Sequence, residues 1–354
     1  MPKGNKFMIT SKEAEVIFSS TGKLGVSRRQ YGRIYVNGTR YSADPIEVEQ
    51  NFRRLTAIGE KHQHKIGRSI FRGLVNEAVM QHILDNDLRS CLEVVLPVAE
   101  FTGDSSWLVY LARNRSERGL IVSREVMADV ISKQKKEIIP PLERVQSTLE
   151  RGYTFTDRIS EDQVSQVYAL WGDTFGWQYQ EIDNLRRRLG VNRCKDPSER
   201  DVWFTAIKDN GTILSIAMAE RLSIPTAYGQ LDLVESTEWR TRDEYAGNGL
   251  MTATVAVLNA QILSDFQDNT NGLPLIYAEC NFQSRSDRVG HGARFLIPEQ
   301  VNAAQILTQN VRVRDGQPLE DTKLRDFTFM YLPIEAIRMY YNPMQTEAIV
   351  QLVT

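Results

Sequence analysis

Tyr245-Ala246-Gly247-Asn248-Gly249-Leu250-Met251 is the stretch on which the reading of the fold turns. Before it, Gln230-Leu231-Asp232-Leu233-Val234-Glu235 alternates and continues through Ser236-Thr237-Glu238-Trp239-Arg240-Thr241, as expected of a long strand. After it, Met251, Val255, Leu258, Ile262 and Phe266 recur at spacings of four, three, four and four, one stripe of an amphipathic helix. The unit is therefore strand, glycine turn, helix. Glycines there let the backbone approach a ligand without Cβ interference, and the first orphan amides of the helix point at whatever anion arrives. The same turn also suits a plain chain reversal, so its neighbours decide.

Working outward, Val202 to Lys208, the turn Asp209-Asn210-Gly211 and Thr212 to Ala219 form the clearest hairpin in the chain. Ahead of it, Tyr153 to Thr156 is expected as a short strand. Ser160 caps a helix with Val164, Val167, Leu170 and Trp171 as its buried stripe, and a short helix runs through Ile182, Leu185 and Leu189. Past the central helix come a strand over Leu273 to Cys280, a short helix over Asn281 to Val289, and a late strand over Asp326 to Leu332. The first half is mixed: strands at Glu15 to Phe18 and Gly32 to Val36, a helix opened by Asp44-Pro45, a second helix over Ile66 to Leu84, strands over Leu92 to Phe101 and Trp107 to Ala112, and a helix over Glu125 to Leu149 broken at Pro140-Pro141. That proline pair marks the boundary between a mixed α/β domain at 1–148 and a second domain at 149–354.

With 354 residues, 42% apolar and 25% charged, two ordinary globular domains are expected. The charged start is followed by no apolar run of signal-peptide length and no segment approaches a membrane span, so a cytoplasmic location is expected. Cys91, Cys194 and Cys280 lie far apart, and His62-Gln63-His64 between lysines lacks acidic or sulfur partners, so neither a disulfide framework nor a metal site is indicated. Residues 1–73 hold 14 Lys/Arg against 6 Asp/Glu, a basic head on an otherwise acidic chain. Such a head suits cofactor phosphates, an acidic carrier or the chain's own acidic part. It lacks the aromatic interleaving of a nucleic-acid surface.

From residue 150 onward the order is β, α, α, β, β, β, α, β, α, β. With the glycine turn between its fourth strand and third helix, this resembles the GNAT superfamily of acyl-CoA-dependent N-acyltransferases over about residues 150–334. The family signature has an aromatic, then Arg or Gln, two variable residues, Gly, one variable residue, and Gly or Ala. Tyr245 matches the aromatic, Gly247 a frequent glycine and Gly249 the required one, while Ala246 replaces the Arg or Gln and Met251 a small residue. The resemblance implies an α/β (α+β) fold, with a GNAT-like mixed sheet flanked by helices and a smaller mixed α/β domain before it. It also implies acetyl-CoA or another acyl-CoA, with Thr241, Tyr245, Ala246, Gly247, Asn248, Gly249, Leu250 and Met251 at the phosphates, and the pantetheine arm between the fourth and fifth strands as they splay apart.

The reaction implied is direct attack of a small-molecule amine on the thioester, which needs a proton acceptor, an oxyanion donor and a donor for the leaving thiolate. Glu235 matches the family's acidic position and Glu238 is the second candidate. In a flat strand the two point to opposite faces unless a bulge intervenes. Either also suits a cross-strand pair with Arg221 or Arg240. From Asn281, which matches the asparagine opening the next helix, the family's tyrosine acid falls on Arg288, suited to an oxyanion or a phosphate but a poor proton donor. His291 and Tyr277 are the substitutes, with solvent. Cys280 reads as a buried strand thiol rather than a nucleophile. The aromatic loop Phe175-Gly176-Trp177-Gln178-Tyr179 is expected over the acceptor pocket through Phe175, Trp177 and Tyr179, with Tyr277 beside them. Two alternatives keep this fold: a phosphopantetheine donor on an acyl carrier protein, and a non-catalytic binding module. Pairing with a second copy as a homodimer stays open.

Overall fold

The computed structural model describes residues 25–27, 33–37, 43–61, 68–103, 105–114, 139–175, 185, 189, 201–226, 229–267, 272–281, 285–297, 305–309, 313–314, 317–318 and 324–353. It is a mixed α/β structure. Two compact units divide the chain: one draws on Met1–Val126, Ser223–Leu231 and Pro298–Phe327, the other on Met127–Leu222, Asp232–Ile297 and Thr328–Thr354.

In the first unit, strands β1 (Gly25–Ser27), β2 (Arg33–Asn37), β3 (Arg68–Asn76), β4 (Leu92–Pro97) and β5 (Ser106–Asn114) form a sheet of order β1-β2-β3-β5-β4. Helix α1 (Pro45–Lys61) starts at Asp44, whose Oδ1 accepts from the Ile46 amide at 2.9 Å, and turns Val48, Phe52 and Leu55 onto Phe71, Val109 and Leu111. The expected helix over Ile66 to Leu84 is corrected: Arg68–Asn76 is a strand, and only Glu77–Asp85 (α2) is helical, capped by Asn76. Ile70, Phe71, Leu74 and Val75 sit between two neighbouring strands, where fully buried strands read as apolar runs without alternation. Strand β4 is likewise shorter than expected, because Ala99–Thr102 closes into a helical turn on Gly103 at φ +73°.

The second unit is built on a larger sheet, six of whose strands run β11-β10-β9-β8-β7-β6: β6 is Thr154–Thr156, β7 Val202–Asp209, β8 Thr212–Pro225, β9 Gln230–Thr241, β10 Leu275–Asn281 and β11 Leu324–Tyr331. The hairpin between β7 and β8 turns at Asn210 and Gly211, both at positive φ. Helices α3 (Pro141–Glu150), α4 (Glu161–Phe175), α5 (Leu250–Phe266), α6 (Arg285–Gly292), α7 (Ile334–Tyr340) and α8 (Pro343–Val353) complete it. At the start of α4, Ser160 donates its amide to the Gln163 side chain at 3.1 Å, half of a capping box. The short-helix segment near Ile182 and the residues 115–138 lie outside the described residues, apart from the buried Leu185 and Leu189.

The central helix α5 is buried almost all round, beyond the expected stripe. Ala253, Ala256, Val257, Asn259, Ala260 and Leu263 are buried too, because α3 and α8 pack on it while β7 contacts it as well. Small residues hide this from a periodicity argument, since alanines at a helix–helix contact look neutral. Polar ties fix the packing: Trp203 Nε1 donates to Asp265 at 2.7 Å, and Thr205 pairs with Gln261 at 2.7 Å.

Arg221, on β8, donates Nε to Asp232 of β9 at 2.8 Å; their side chains are 8% and 3% exposed, and the guanidinium stacks over Phe266 at 5.1 Å. Asp232→Ala deprives a buried cation of this carboxylate, so chemical denaturation should show a loss of about 3 kcal/mol or more. A loss under about 1 kcal/mol would make the pair ornamental.

Candidate functional site

Where β9 meets α5 the chain makes the turn expected from its glycines. A helical turn at Asp243–Tyr245 is followed by Gly247 at φ +87° and Gly249 at φ +77°, with Gly249 as the N-cap of α5. Both torsions are left-handed, which costs an L side chain roughly 1–2 kcal/mol, and glycine nothing. Among the described residues no side chain caps α5, which leaves its first amides to water or a ligand. They open on a pocket of about 370 Å³ lined by Trp239, Arg240, Thr241, Asp243, the turn, Thr252, Arg288 and Val289.

The turn is held from behind. Ser215 and Thr241 hydroxyls lie 3.0 Å apart, Thr254 Oγ1 lies 3.0 Å from the Ser215 hydroxyl and donates to the Leu250 carbonyl at 2.9 Å, and Arg242 donates to the Ile213 carbonyl at 2.7 Å. A buried hydroxyl chain thus ties β8, the end of β9 and the first turn of α5 into one piece.

Ahead of the turn the two central strands part. Strand β10 pairs in parallel with β9 at three positions, Leu275 with Leu233, Ile276 with Val234 and Tyr277 with Glu235, and the ladder ends there although both strands run on. Glu238 then adopts φ +58°, a kink within β9. Past the kink Trp239 turns to donate to Ser236 at 3.0 Å and meets Phe295 edge-on at 6.1 Å.

The fork gathers two of the residues expected to carry chemistry. Tyr277, 2% exposed and stacked on Phe329 at 5.3 Å, donates its hydroxyl to Glu235 Oε2 at 3.0 Å. Tyr277, expected beside the acceptor pocket or as a substitute proton donor, thus holds a carboxylate through its hydroxyl. Glu238 is buried, and burial pushes its carboxyl from 4.5 up to about 8. The flat-strand expectation of opposite faces does not apply, because the kink lies at Glu238 itself.

His291 lies half buried in the last turn of α6, and burial holds its imidazole below the usual value against a hydrogen bond to the Phe295 backbone. Its flanking glycines are packing positions: a Cβ on Gly290 would come within 2.8 Å of the Met330 sulfur, and one on Gly292 within 2.7 Å of Thr252. Cys280 is a buried strand residue beside Gly290. Of the residues expected at the phosphates, Thr241, Tyr245, Ala246, Gly247, Gly249, Leu250, Met251 and Arg288 line one pocket. Asn248 turns its carbonyl to Arg151 Nη1 at 2.9 Å. Asn281 ends β10 and Phe175 ends α4. Trp177 and Tyr179 lie outside the described residues.

Sequence reasoning missed Trp239, Arg240, Asp243, Thr252 and Val289 in the lining, and Arg144 and Arg151 beside the turn. The first group lies within a few residues of the motif and could have been named. Arg151 is 97 residues from its partner, and no local pattern reports such a contact.

No family model matches the chain, and no curated protein does. Solved structures match about half of it. Several of them are GNAT-family N-acetyltransferases, the kind of protein that the sequence resembles. NAA60 of Arabidopsis thaliana in complex with acetyl-CoA is 12% identical over 51% of this chain and 97% of its own, with a TM-score of 0.35. A putative acetyltransferase of the GNAT family from Desulfovibrio desulfuricans is 14% identical over 51% and 99%, at 0.33. The PaiA N-acetyltransferase of Thermoplasma acidophilum in complex with coenzyme A is 10% identical over 50% and 98%, at 0.28. At such identities and scores, nothing about reaction or acceptor passes from them to this chain. Among the described residues no helix is long and apolar enough to cross a membrane.

Two outcomes are expected. Gly249→Ala, strained by its torsion and set 3.0 Å from Arg144 Nη1, lowers stability by about 1–2 kcal/mol in thermal unfolding, and Arg144→Ala in the same background restores part of it. From pH 4.5 to about 8 the folded chain holds a proton on Glu238 that the unfolded chain has released, so its contribution to stability falls as pH rises through that window and levels off above it. Denaturation midpoints of Glu238→Gln, measured beside the parent across the window, should lack that decline.

Proposed function

We propose that the second unit transfers an acyl group, in the first instance acetyl, from a CoA thioester to the amine of a small molecule by direct attack. One observation carries this reading. The ladder between β9 and β10 stops at the Glu235–Tyr277 pair, and β9 runs on beyond it from a carboxylate to an amide-lined pocket. That sequence of features suits a ligand with phosphates at one end, an amide-bearing arm in the middle and a reactive carbonyl at the other.

The residues present fit such a donor. Uncapped amides of α5 face the pocket, Arg288 lines it, and the stretch of β9 beyond its ladder with β10 offers backbone groups to an extended arm. When bound, the thioester supplies an activated acyl carbonyl. As the amine nitrogen bonds to the acyl carbon and the C–S bond breaks to release a thiolate that solvent protonates, Glu235 accepts the proton that the amine sheds, and the Tyr277 hydroxyl, itself locked on Phe329, keeps that carboxylate in one orientation. Glu238, held as the neutral acid by burial, is a positioning residue of the kink and a proton donor in reserve. His291, neutral for the same reason, is the other group able to exchange a proton. Arg288 serves the phosphates rather than the leaving group, as its place in the pocket favours.

Calorimetric titration with acetyl-CoA and with CoA is the test, and the absence of binding to either overturns the reading. Glu235→Gln is expected to lower kcat by about 100-fold or more while leaving the Kd for acetyl-CoA unchanged. Undiminished turnover in that variant would remove Glu235 from its role.

A further inference from the structure

Ala246 stands where the signature has Arg or Gln, so the turn carries no long polar side chain at that position, yet the chain brings a cation to the same backbone from elsewhere. Arg144 belongs to α3, before the stretch that carries the resemblance. Its Nη1 stands 3.0 Å from the point that a Cβ on Gly249 would occupy, so the guanidinium rests directly against the N-cap of α5. It is half buried, its Nε is buried without a hydrogen-bond partner, and burial is the single influence moving its pKa, downwards. A half-buried guanidinium with no carboxylate beside it among the described residues carries a desolvation cost that an arriving anion would offset.

The other cations near the turn are differently engaged. Arg151 donates to the Asn248 carbonyl at 2.9 Å, and Arg240 pairs with Asp243 at 3.2 Å. Arg242 likewise donates to the Ile213 carbonyl. Arg144 and Arg288 are the cations at the turn with neither an acidic nor a carbonyl partner among the described residues, Arg144 packed against Gly249 outside the pocket lining and Arg288 within it. Two such charges match a diphosphate better than the single charge of a carrier-bound phosphodiester.

We infer that Arg144, from outside the motif, binds the diphosphate of the donor, and that the site is thereby built for a nucleotide thioester rather than a carrier protein. This rests on the function proposed above. Gly249 then has two duties, a left-handed torsion and room for the guanidinium.

The test uses the full chain. CoA and pantetheine, which lacks every phosphate, are titrated into the parent, Arg144→Gln and Arg144→Lys at two salt concentrations. Arg144→Gln is expected to bind CoA about tenfold more weakly and with a shallower salt dependence, while pantetheine binds as before. Arg144→Lys, which keeps the charge without the fork and serves if the first variant does not fold, is expected to lose about threefold for CoA alone. Unchanged CoA affinity in the variants overturns the inference, and so does an equal loss for CoA and pantetheine, which would mark Arg144 as a structural prop. If the parent itself fails to bind CoA, the proposed function falls and this inference with it. If the parent binds and the variants match it, the inference alone falls.

Discussion

The parallel ladder between β9 and β10 lasts three residue pairs, and the candidate site depends on where it ends. Every further pair would have consumed backbone groups of β9 and closed the space ahead of α5. The chain prevents this with the kink at Glu238, where a left-handed torsion in a non-glycine residue stores backbone strain. That strain is held by the packing around it: Trp239 is pinned to Ser236 and Phe295, and the Glu238 side chain is enclosed. An opening in a sheet is thus maintained by burial on its flank.

Polar groups in this unit are arranged so that rigidity surrounds the opening. Arg221 and Asp232 lock β8 to β9 before the fork. The hydroxyls of Ser215, Thr241 and Thr254 lock them to α5 after it. Between these two clamps, Glu235 is oriented by a tyrosine that is itself immobilised by stacking. A carboxylate held in this way keeps a fixed direction without losing access, which suits proton transfer better than a flexible surface glutamate does.

Much of this was legible in the sequence, and the failures have physical causes. The hairpin, β9, the glycine turn and the start of α5 were readable because turn chemistry and periodicity are local. Arg68–Asn76 read as helix because a strand buried on both faces loses its alternation. The kink at Glu238 left no mark, since a strained non-glycine torsion is imposed by tertiary packing rather than by local preference. Arg144 was invisible for a related reason, as its meaning comes from contact with Gly249 more than a hundred residues away. Tyr277 was picked out by position, while its part as an anchor for Glu235 required the register of β10 on β9.

Helix α5 is enclosed on nearly every side, so the element whose amide end faces the pocket is also the element around which the second unit folds. Occupancy of that end and cohesion of the unit are therefore linked by mass action. A ligand present at 100 times its Kd would add about 2.7 kcal/mol to the stability of the whole unit rather than merely ordering a loop. By the same linkage, a cavity opened at the far end of α5, near Phe266, would be felt as a weaker grip on the ligand wherever it lets the helix fray.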